Sequence, residues 1–167
     1  VAITVLTNSL EATDVVAVHA GYAKRRKPLL EAGVRLFEMK RAAVVPAHKE
    51  RAGVLGSSGS SLHAKTFSVD RSHVFVGSFN FDPRSARLNT EMGFVIDSPA
   101  MAQAIADAFA GIVPRSAYEV RLRQDGALQW VEQGPDGEVV HDREPGTSAW
   151  RRFAVWVVSL LPVEWLL

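Results

Sequence analysis

Several features are missing from this sequence, and each absence removes a class of function. Its 167 residues include no cysteine, which excludes a disulfide framework, a thiolate metal site and a cysteine nucleophile. A strong excess of one charge is also absent, because 19 basic residues balance 18 acidic ones. The chain therefore lacks the dominant attraction to nucleic acid that a basic surface provides. The longest apolar run, 153–161, is far shorter than the roughly 20 residues of a membrane-spanning helix.

The start of the chain shows no targeting signal. Val1 lies inside an apolar run, without a methionine, a charged region or a cleavage site before it. We therefore expect the sequence to be cut from a longer protein. Its length corresponds to one domain or to half of a larger one, and 47% apolar residues suffice for an ordinary core.

Hydrophobic periodicity predicts an α/β fold, with a mixed or largely parallel sheet flanked by helices. A strand, two short helices and a second strand form a parallel crossover unit at the start. A polar Gly/Ser-rich loop over 46–61 separates this unit from the next strands. The predicted strands cover 1–6, 34–39, 64–69, 73–77 and 89–96, and the predicted helices cover 15–23, 28–32 and 99–110.

The last third of the chain has a different pattern. Three short runs separated by glycine-containing turns predict a small antiparallel meander over 118–141. The apolar tail from Trp150 to Leu167 is predicted to pack as a helix. We expect residues 1–167 to form one catalytic domain, with 115–167 as a meander and tail packed on it.

One central segment carries a dense set of reactive side chains. It reads His63-x-Lys65-x4-Asp70-x6-Gly77-Ser78-x-Asn80, with Glu91 following. The set occurs once, since no other histidine has a lysine two residues later.

These residue types suit the cleavage of a phosphodiester. His63 and Lys65 share one face of a strand, and a histidine can act as nucleophile or general acid near neutral pH. Lys65, Ser78 and Asn80 can hold the non-bridging oxygens, where charge builds up in the transition state. Glu91 can orient one imidazole nitrogen. This chemistry requires neither a metal nor a cofactor.

Other residues of the segment have simpler structural interpretations. Asp70 lies at the bend between two predicted strands, where an Asx turn is the default. Gly77 is suited to a tight strand exit. Arg84, Arg87 and Asn89 are expected to brace the following loop.

The motif as a whole resembles the signature of the phospholipase D superfamily, with no departure from it. The wider context, SFNFDPRSARLNTEMGFVID from Ser78 to Asp97, is similar to bacterial cardiolipin synthases. In particular the chain resembles the second half of the third type of these enzymes. The opening TNSLEATDVVAVHAGYAKRRKPLLEAGVRLFE and the closing LLPVEWLL resemble that group as well, so the similarity covers essentially the whole chain.

This resemblance implies a two-motif site in which one histidine forms a phosphohistidine and the other protonates the leaving alcohol. His63, Lys65, Ser78, Asn80 and Glu91 match the family positions. By the same analogy His63 is the general acid. The implied substrate is phosphatidylglycerol, with phosphatidylethanolamine as a partner, and the outcome is phosphatidyl transfer or hydrolysis.

The absence of a first motif leaves alternatives open. The chain is either the C-terminal half of a two-motif enzyme or a single-motif member that completes its site as a homodimer. A nuclease of the superfamily is a rival, which the balanced charge opposes. A third hypothesis is that the chain is a fragment that is inactive alone and serves only lipid contact or assembly.

Two features of the sequence are candidates for contact with a membrane. The basic stretch 24–27, with Lys40 and Arg41 beyond it, could meet anionic headgroups, although such runs are more often solvated helix faces. Trp150, Trp156 and Trp165 could touch a membrane interface, although a helix packed on the sheet is the simpler reading. We expect peripheral association with the bacterial inner membrane, with the cytoplasm as the alternative.

Overall fold

The computed structural model describes residues 1–13, 16–41 and 64–160. Asp14, the 46–61 loop, His63 and Trp165 lie outside the described residues. The elements are β1 (Thr4–Asn8), α1 (Val16–Ala23), α2 (Arg26–Glu31), β2 (Arg35–Met39), β3 (Thr66–Val69), β4 (His73–Gly77), α3 (Pro83–Arg87), β5 (Gly93–Asp97), α4 (Pro99–Gly111), α5 (Val113–Ser116), β6 (Ala117–Leu122), β7 (Leu128–Gly134), β8 (Gly137–His141) and α6 (Ala149–Ser159). None of the helices within these ranges is long and apolar enough to cross a bilayer.

A five-stranded sheet has the order β1-β2-β6-β7-β8. Strands β1 and β2 are parallel, as the predicted crossover requires, whereas the other three pairings are antiparallel. The sheet is therefore mixed, and the largely parallel version of the prediction does not hold. The predicted meander forms, and because β6 pairs with β2, it continues this sheet.

A separate three-stranded antiparallel sheet, β3-β4-β5, carries the motif. Its first hairpin turns at Asp70 and Arg71, which have φ angles of 50° and 53°. Positive φ at two successive residues is what a type I′ turn requires. The expected Asx turn does not form, because the Ser72 N–H bonds to the carbonyl oxygen of Val69 (3.1 Å).

Most predicted boundaries differ from the observed ones by a few residues. The largest internal difference is β5, which begins at Gly93 although the sequence predicts a strand from Asn89. The preceding residues are used in a turn, where the Asn89 N–H bonds to the Arg84 carbonyl oxygen. The short helices α3 and α5 were not predicted.

The core of the larger sheet includes a cluster of Leu36, Tyr118, Val120 and Trp130. A buried carboxylate, Glu38, lies beside it with a side chain that is 1% exposed. Glu38 accepts hydrogen bonds from Arg26 Nε (2.7 Å), the Tyr22 hydroxyl (2.8 Å) and Trp130 Nε1 (2.9 Å). Three donors replace the water that burial removes, which a buried charge requires.

A second carboxylate extends this network to the loop before α6. Glu144 lies 2.6 Å from a terminal nitrogen of Arg26 and 3.0 Å from His19 Nε2. Burial alone would raise its pKa, but the hydrogen bond with His19 and the charge of Arg26 lower it below the ordinary 4.5. The network therefore holds this loop against α1 and α2.

Helix α6 packs on α1. Val155, which is 6% exposed, contacts Leu10 and Ala20, and Val16 and Val158 pack around them. Ser148 caps the helix by accepting a hydrogen bond from the Arg151 N–H (3.2 Å). The described part of the tail is thus helical over Ala149–Ser159, but it packs on a helix and not on the sheet, and residues 161–167 lie outside the described residues.

Candidate active site

The ends of two paired strands define the site. Gly77, the last residue of β4, lies opposite Gly93, the first residue of β5. The ladder continues one step further, because the Ser78 N–H donates to the Met92 carbonyl oxygen (2.8 Å). This register brings Glu91 beside Ser78, although thirteen residues separate them in the chain.

Both glycines are needed because the ring of Phe75 lies across the strand pair. A Cβ atom at Gly93 would be 2.3 Å from this ring, and one at Gly77 would be 2.6 Å from the Met92 carbonyl oxygen. Any larger residue would push the ring or the strands apart. The glycine of the motif thus permits a close approach, consistent with the tight exit predicted for Gly77.

A short hydrogen bond links Ser78 to Glu91. The Ser78 hydroxyl donates to Glu91 Oε2 (2.5 Å) and accepts from the Met92 N–H (3.0 Å). Hydrogen bonds from Ser78 and then from Ser85 and Asn89, together with the charge of Lys65, lower the pKa of Glu91 below 4.5, against a smaller opposing effect of desolvation. Glu91 is therefore an ionised acceptor at neutral pH.

The loop between β4 and β5 folds back to support Glu91. Asn89 Nδ2 donates to Glu91 Oε1 (3.3 Å), and Arg84 Nε donates to Asn89 Oδ1 (3.2 Å). Helix α3 holds this arrangement, since Asp82 caps it by accepting from the Ser85 N–H (2.7 Å). Arg84 and Asn89 brace the loop as the sequence predicts.

The remaining predicted residues are placed as follows. Lys65 precedes β3 and is held by its backbone, because its carbonyl oxygen accepts from the Gly77 N–H (3.2 Å). The Asn80 side chain is exposed and makes no hydrogen bond with another residue of the described ranges. The structure thus brings Lys65, Ser78 and Glu91 together in space. Asn80 follows Ser78 by two residues, and its side chain contacts none of these three through a hydrogen bond. His63 is outside the described residues.

A groove of about 300 Å³ opens beside these polar groups. It is lined by four phenylalanines and by Glu91, Met92 and Gly93. The phenylalanines are Phe67, Phe75, Phe79 and Phe81. Phe67 stacks on Phe75 with ring centroids 4.7 Å apart, and Phe81 meets Phe67 edge to face at 5.9 Å. The groove could not be predicted from the sequence, because the pairing of β3 with β4 is what brings Phe67 against Phe75.

The site therefore has one polar side, where the positive charge of Lys65 acts on Glu91, and one apolar side, with Glu91 belonging to both. Exposed hydroxyl and amide groups beside a lysine can bind the oxygens of a phosphodiester. The described residues contain no group of three or more His, Asp or Glu side chains placed to hold a metal ion.

A mixed α/β fold with helices flanking the sheet is consistent with a phospholipase D-like domain. The family described as "Cardiolipin synthase, PLD-like domain" matches residues 1–113, which is more than half of the sequence. The chain therefore belongs to this family.

Individual relatives support the same assignment. The chain is 51% identical over all 167 residues to "Cardiolipin synthase C" of Escherichia coli (strain K12), of which it covers 35%. It is 31% identical over 159 residues to an uncharacterized protein of Helicobacter pylori (strain ATCC 700392 / 26695), covering 95% of this chain and 30% of that protein. The chain thus spans about a third of the length of these curated relatives. No solved structure matches it.

Proposed function

We propose that this chain supplies one half of a phosphatidyl-transfer site that works through a covalent phosphohistidine. The observation that carries the proposal is the junction at Glu91, where the Ser78 hydrogen bond meets the phenylalanine groove. A phospholipid has the same division, with a charged phosphodiester next to apolar chains. Membership of the family and the name of the E. coli relative support the same reaction class.

In the proposed first step, a histidine from the other half of the site attacks phosphorus and forms a nitrogen–phosphorus bond. His63 gives its proton to the leaving headgroup oxygen, which belongs to glycerol when phosphatidylglycerol is the donor and to ethanolamine when phosphatidylethanolamine is, as the phosphorus–oxygen bond breaks. In the second step, His63 takes the proton of an acceptor alcohol, whose oxygen attacks phosphorus and displaces the first histidine as the nitrogen–phosphorus bond breaks. With a second phospholipid as acceptor the product carries two phosphatidyl groups, and with water the reaction is hydrolysis.

The other site residues have separate proposed roles. Lys65 and Asn80 bind the non-bridging oxygens, and Lys65 supplies the positive charge. Ser78 donates its single O–H to Glu91 in the free chain, and it binds a non-bridging oxygen when this proton turns to the phosphate. Glu91 holds Ser78 in place. A carboxylate has about four acceptor positions, so Glu91 can also accept a hydrogen bond from a His63 ring nitrogen. Asp70 and Gly77 shape the hairpin and contact no substrate.

A nuclease remains the second candidate, because aromatic rings in a groove can also stack on bases. The near balance of 19 basic and 18 acidic residues argues against it, since binding to a polyanion needs an excess of positive charge. The substrate proposed here is phosphatidylglycerol, with phosphatidylethanolamine as the partner lipid. We further propose that the protein associates peripherally with the bacterial inner membrane.

The test is phosphatidylglycerol turnover measured over a wide range of protein concentration, with His63→Ala as the inactive variant. His73→Ala is the matched control, because His73 is an exposed histidine of β4 whose side chain, within the described ranges, bonds only to Ser72 (2.7 Å). Turnover that rises faster than linearly and disappears in His63→Ala alone would indicate a site shared by two copies. Inactivity of a folded sample would indicate that the other half must be added.

Two results would contradict the proposal. One is turnover that survives His63→Ala, which would place the chemistry elsewhere. The other is faster cleavage of an oligonucleotide than of phosphatidylglycerol, which would favour the nuclease.

A further inference from the structure

Helix α6 presents its most apolar side chains to solvent. These are Trp150, Phe153, Trp156 and Val157, with Leu160 at its C-cap, and they are 74%, 49%, 57%, 39% and 65% exposed. Their spacing of three, six, seven and ten residues from Trp150 places them on one side of a helix of 3.6 residues per turn. We call this set the aromatic stripe.

The opposite side of α6 is already occupied. Val155 is buried against Leu10 and Ala20 of the α1 region. Arg151 reaches the carbonyl oxygen of Thr13 (2.5 Å) and fixes the helix on the same neighbour. The helix is therefore held in place by one face, and the aromatic stripe is left without a partner among the described residues.

The stripe is organised within itself. The rings of Trp150 and Phe153 have centroids 5.6 Å apart, and those of Phe153 and Trp156 are 5.8 Å apart, with interplanar angles of 32° and 31°. Three successive rings thus form a continuous apolar surface along the helix. Exposed single apolar residues are ordinary, whereas a contiguous apolar patch marks a contact surface.

The composition and charge of α6 indicate which contact this is. Tryptophan is favoured where an apolar medium meets a polar one, because its ring is apolar and its N–H needs a polar partner. The helix has no acidic residue, and its two charged residues are Arg151 and Arg152. Arg151 is used on the packed side of the helix, where it bonds to Thr13, whereas Arg152 lies about 40° round the helix from Trp156 and borders the aromatic stripe. The Arg152 guanidinium bonds to Thr147 and to no carboxylate of the described residues, so its charge is not neutralised there.

We infer that α6 is a membrane-contact helix that lies in the interface of a phospholipid bilayer, with the aromatic stripe toward the acyl chains. Eleven residues of helix have a length of about 16 Å, too short to span a hydrocarbon core of about 30 Å. A helix of this kind binds along the surface through its apolar face and its cationic side chains. The inference concerns binding alone and does not depend on the proposed catalysis.

The experiment measures binding of this chain to vesicles of phosphatidylglycerol and phosphatidylethanolamine through tryptophan fluorescence. Trp165→Phe removes one background signal, and Trp130 is buried and serves as an internal reference. Lipids brominated at different depths quench a tryptophan that enters the interface. We expect a blue shift and quenching in the chain that carries Trp150 and Trp156. Because the variant Trp150→Ser/Phe153→Ser/Trp156→Ser lacks these reporters, its binding is measured by co-sedimentation with the vesicles, which we expect it to lose.

The expected loss of affinity is on the order of 100-fold or more for this triple variant, since even partial burial of an aromatic side chain contributes about a factor of ten. A matched control replaces exposed apolar residues elsewhere, Ile112→Ser and Val140→Ser, and should bind as the unaltered chain does.

Three results would overturn the inference. The first is a folded chain that does not bind the vesicles. The second is binding that the triple variant retains. The third is a dimer in solution that the triple variant dissociates while vesicle binding is absent, which would make the stripe a contact between copies. If the triple variant does not fold, the depth-dependent quenching of the unaltered chain decides alone.

Discussion

The two sheets each surround a carboxylate with hydrogen-bond donors, but in opposite settings. Glu38, beside the five-stranded sheet, is 1% exposed and accepts from Arg26, Tyr22 and Trp130. Glu91, at the end of the three-stranded sheet, accepts from Ser78 and Asn89 at the edge of an open groove. The acceptor positions of the buried carboxylate are filled by donors from the protein itself. The exposed carboxylate can still accept a further hydrogen bond from a ligand.

This contrast shows how similar side chains acquire different roles. A buried ionised group must be satisfied completely, or the cost of removing it from water destabilises the fold. A group at a groove can exchange one partner for a substrate because water is available while the exchange occurs. We therefore expect substitutions around Glu38 to affect stability, and those around Glu91 to affect binding and titration.

The largest effect is expected for Arg26→Met, which leaves Glu38 and Glu144 buried without their cation. Breaking such a buried pair costs about 3–5 kcal/mol of unfolding free energy. Arg35→Met is the matched control, because Arg35 pairs with Glu119 while 62% exposed, and should cost less than about 1 kcal/mol. Urea unfolding measures both, and equal losses would show that burial does not distinguish the two pairs.

Gly93→Ala tests the packing that builds the open site. The new Cβ would lie 2.3 Å from the ring of Phe75, and overpacking of this kind costs about 1–3 kcal/mol. Gly111→Ala, where no atom lies within 4 Å, should leave stability unchanged or raise it slightly. Adding Phe75→Leu to Gly93→Ala should recover part of the loss in thermal unfolding. No recovery would mean that the ring is not the obstacle.

Glu144→Gln tests the buried network through its pH dependence. The pKa of Glu144 is lower in the folded chain than its ordinary 4.5, so its contribution is present above pH 4.5 and is lost as the pH falls through the folded value. The unaltered chain should therefore lose stability on acidification below about pH 4.5, and the variant should be less stable at neutral pH with a flatter profile. Chemical unfolding at several pH values measures this, and parallel profiles would contradict it.

The smallest effect is expected for Ser78→Ala. The Ser78 hydrogen bond is the main cause of the low pKa of Glu91, so its removal should move the titration of that carboxyl upward, toward 4.5. Carboxyl NMR titration measures the shift. Ser98→Ala is the control, because Ser98 caps α4 by bonding to Met101 and does not contact Glu91. An unchanged titration in Ser78→Ala would mean that the short hydrogen bond is not formed.

The sequence predicts the parts of this molecule that depend on local spacing. The bend at Asp70, the strand exit at Gly77 and the helix that begins at Pro99 follow from local turn and helix-start chemistry. Asn89 as a brace was also predictable, because it lies in the loop that must return to β5.

Other parts depend on contacts between segments distant in the chain. The hydrogen bond from Ser78 to Glu91 requires the β4–β5 register, and the stack of Phe67 on Phe75 requires that of β3–β4. The burial of Glu38 requires β2 to pair with β6. Nothing in the sequence of β2 itself predicts this pairing. The apolar run of α6 predicts burial, yet half of it is exposed, because only its α1-facing side finds a partner.

The measurement that tests the central claim most directly is binding of a water-soluble, short-chain phosphatidylglycerol to the isotope-labelled chain, followed by NMR. Binding does not require a complete catalytic site, so it is informative even if the chain is inactive alone. We predict shifts of the Ser78, Met92 and Gly93 amides, with much weaker binding of glycerophosphoglycerol, which lacks the acyl chains. Equal binding of the two compounds, or shifts confined to other regions, would contradict a phospholipid site at Glu91.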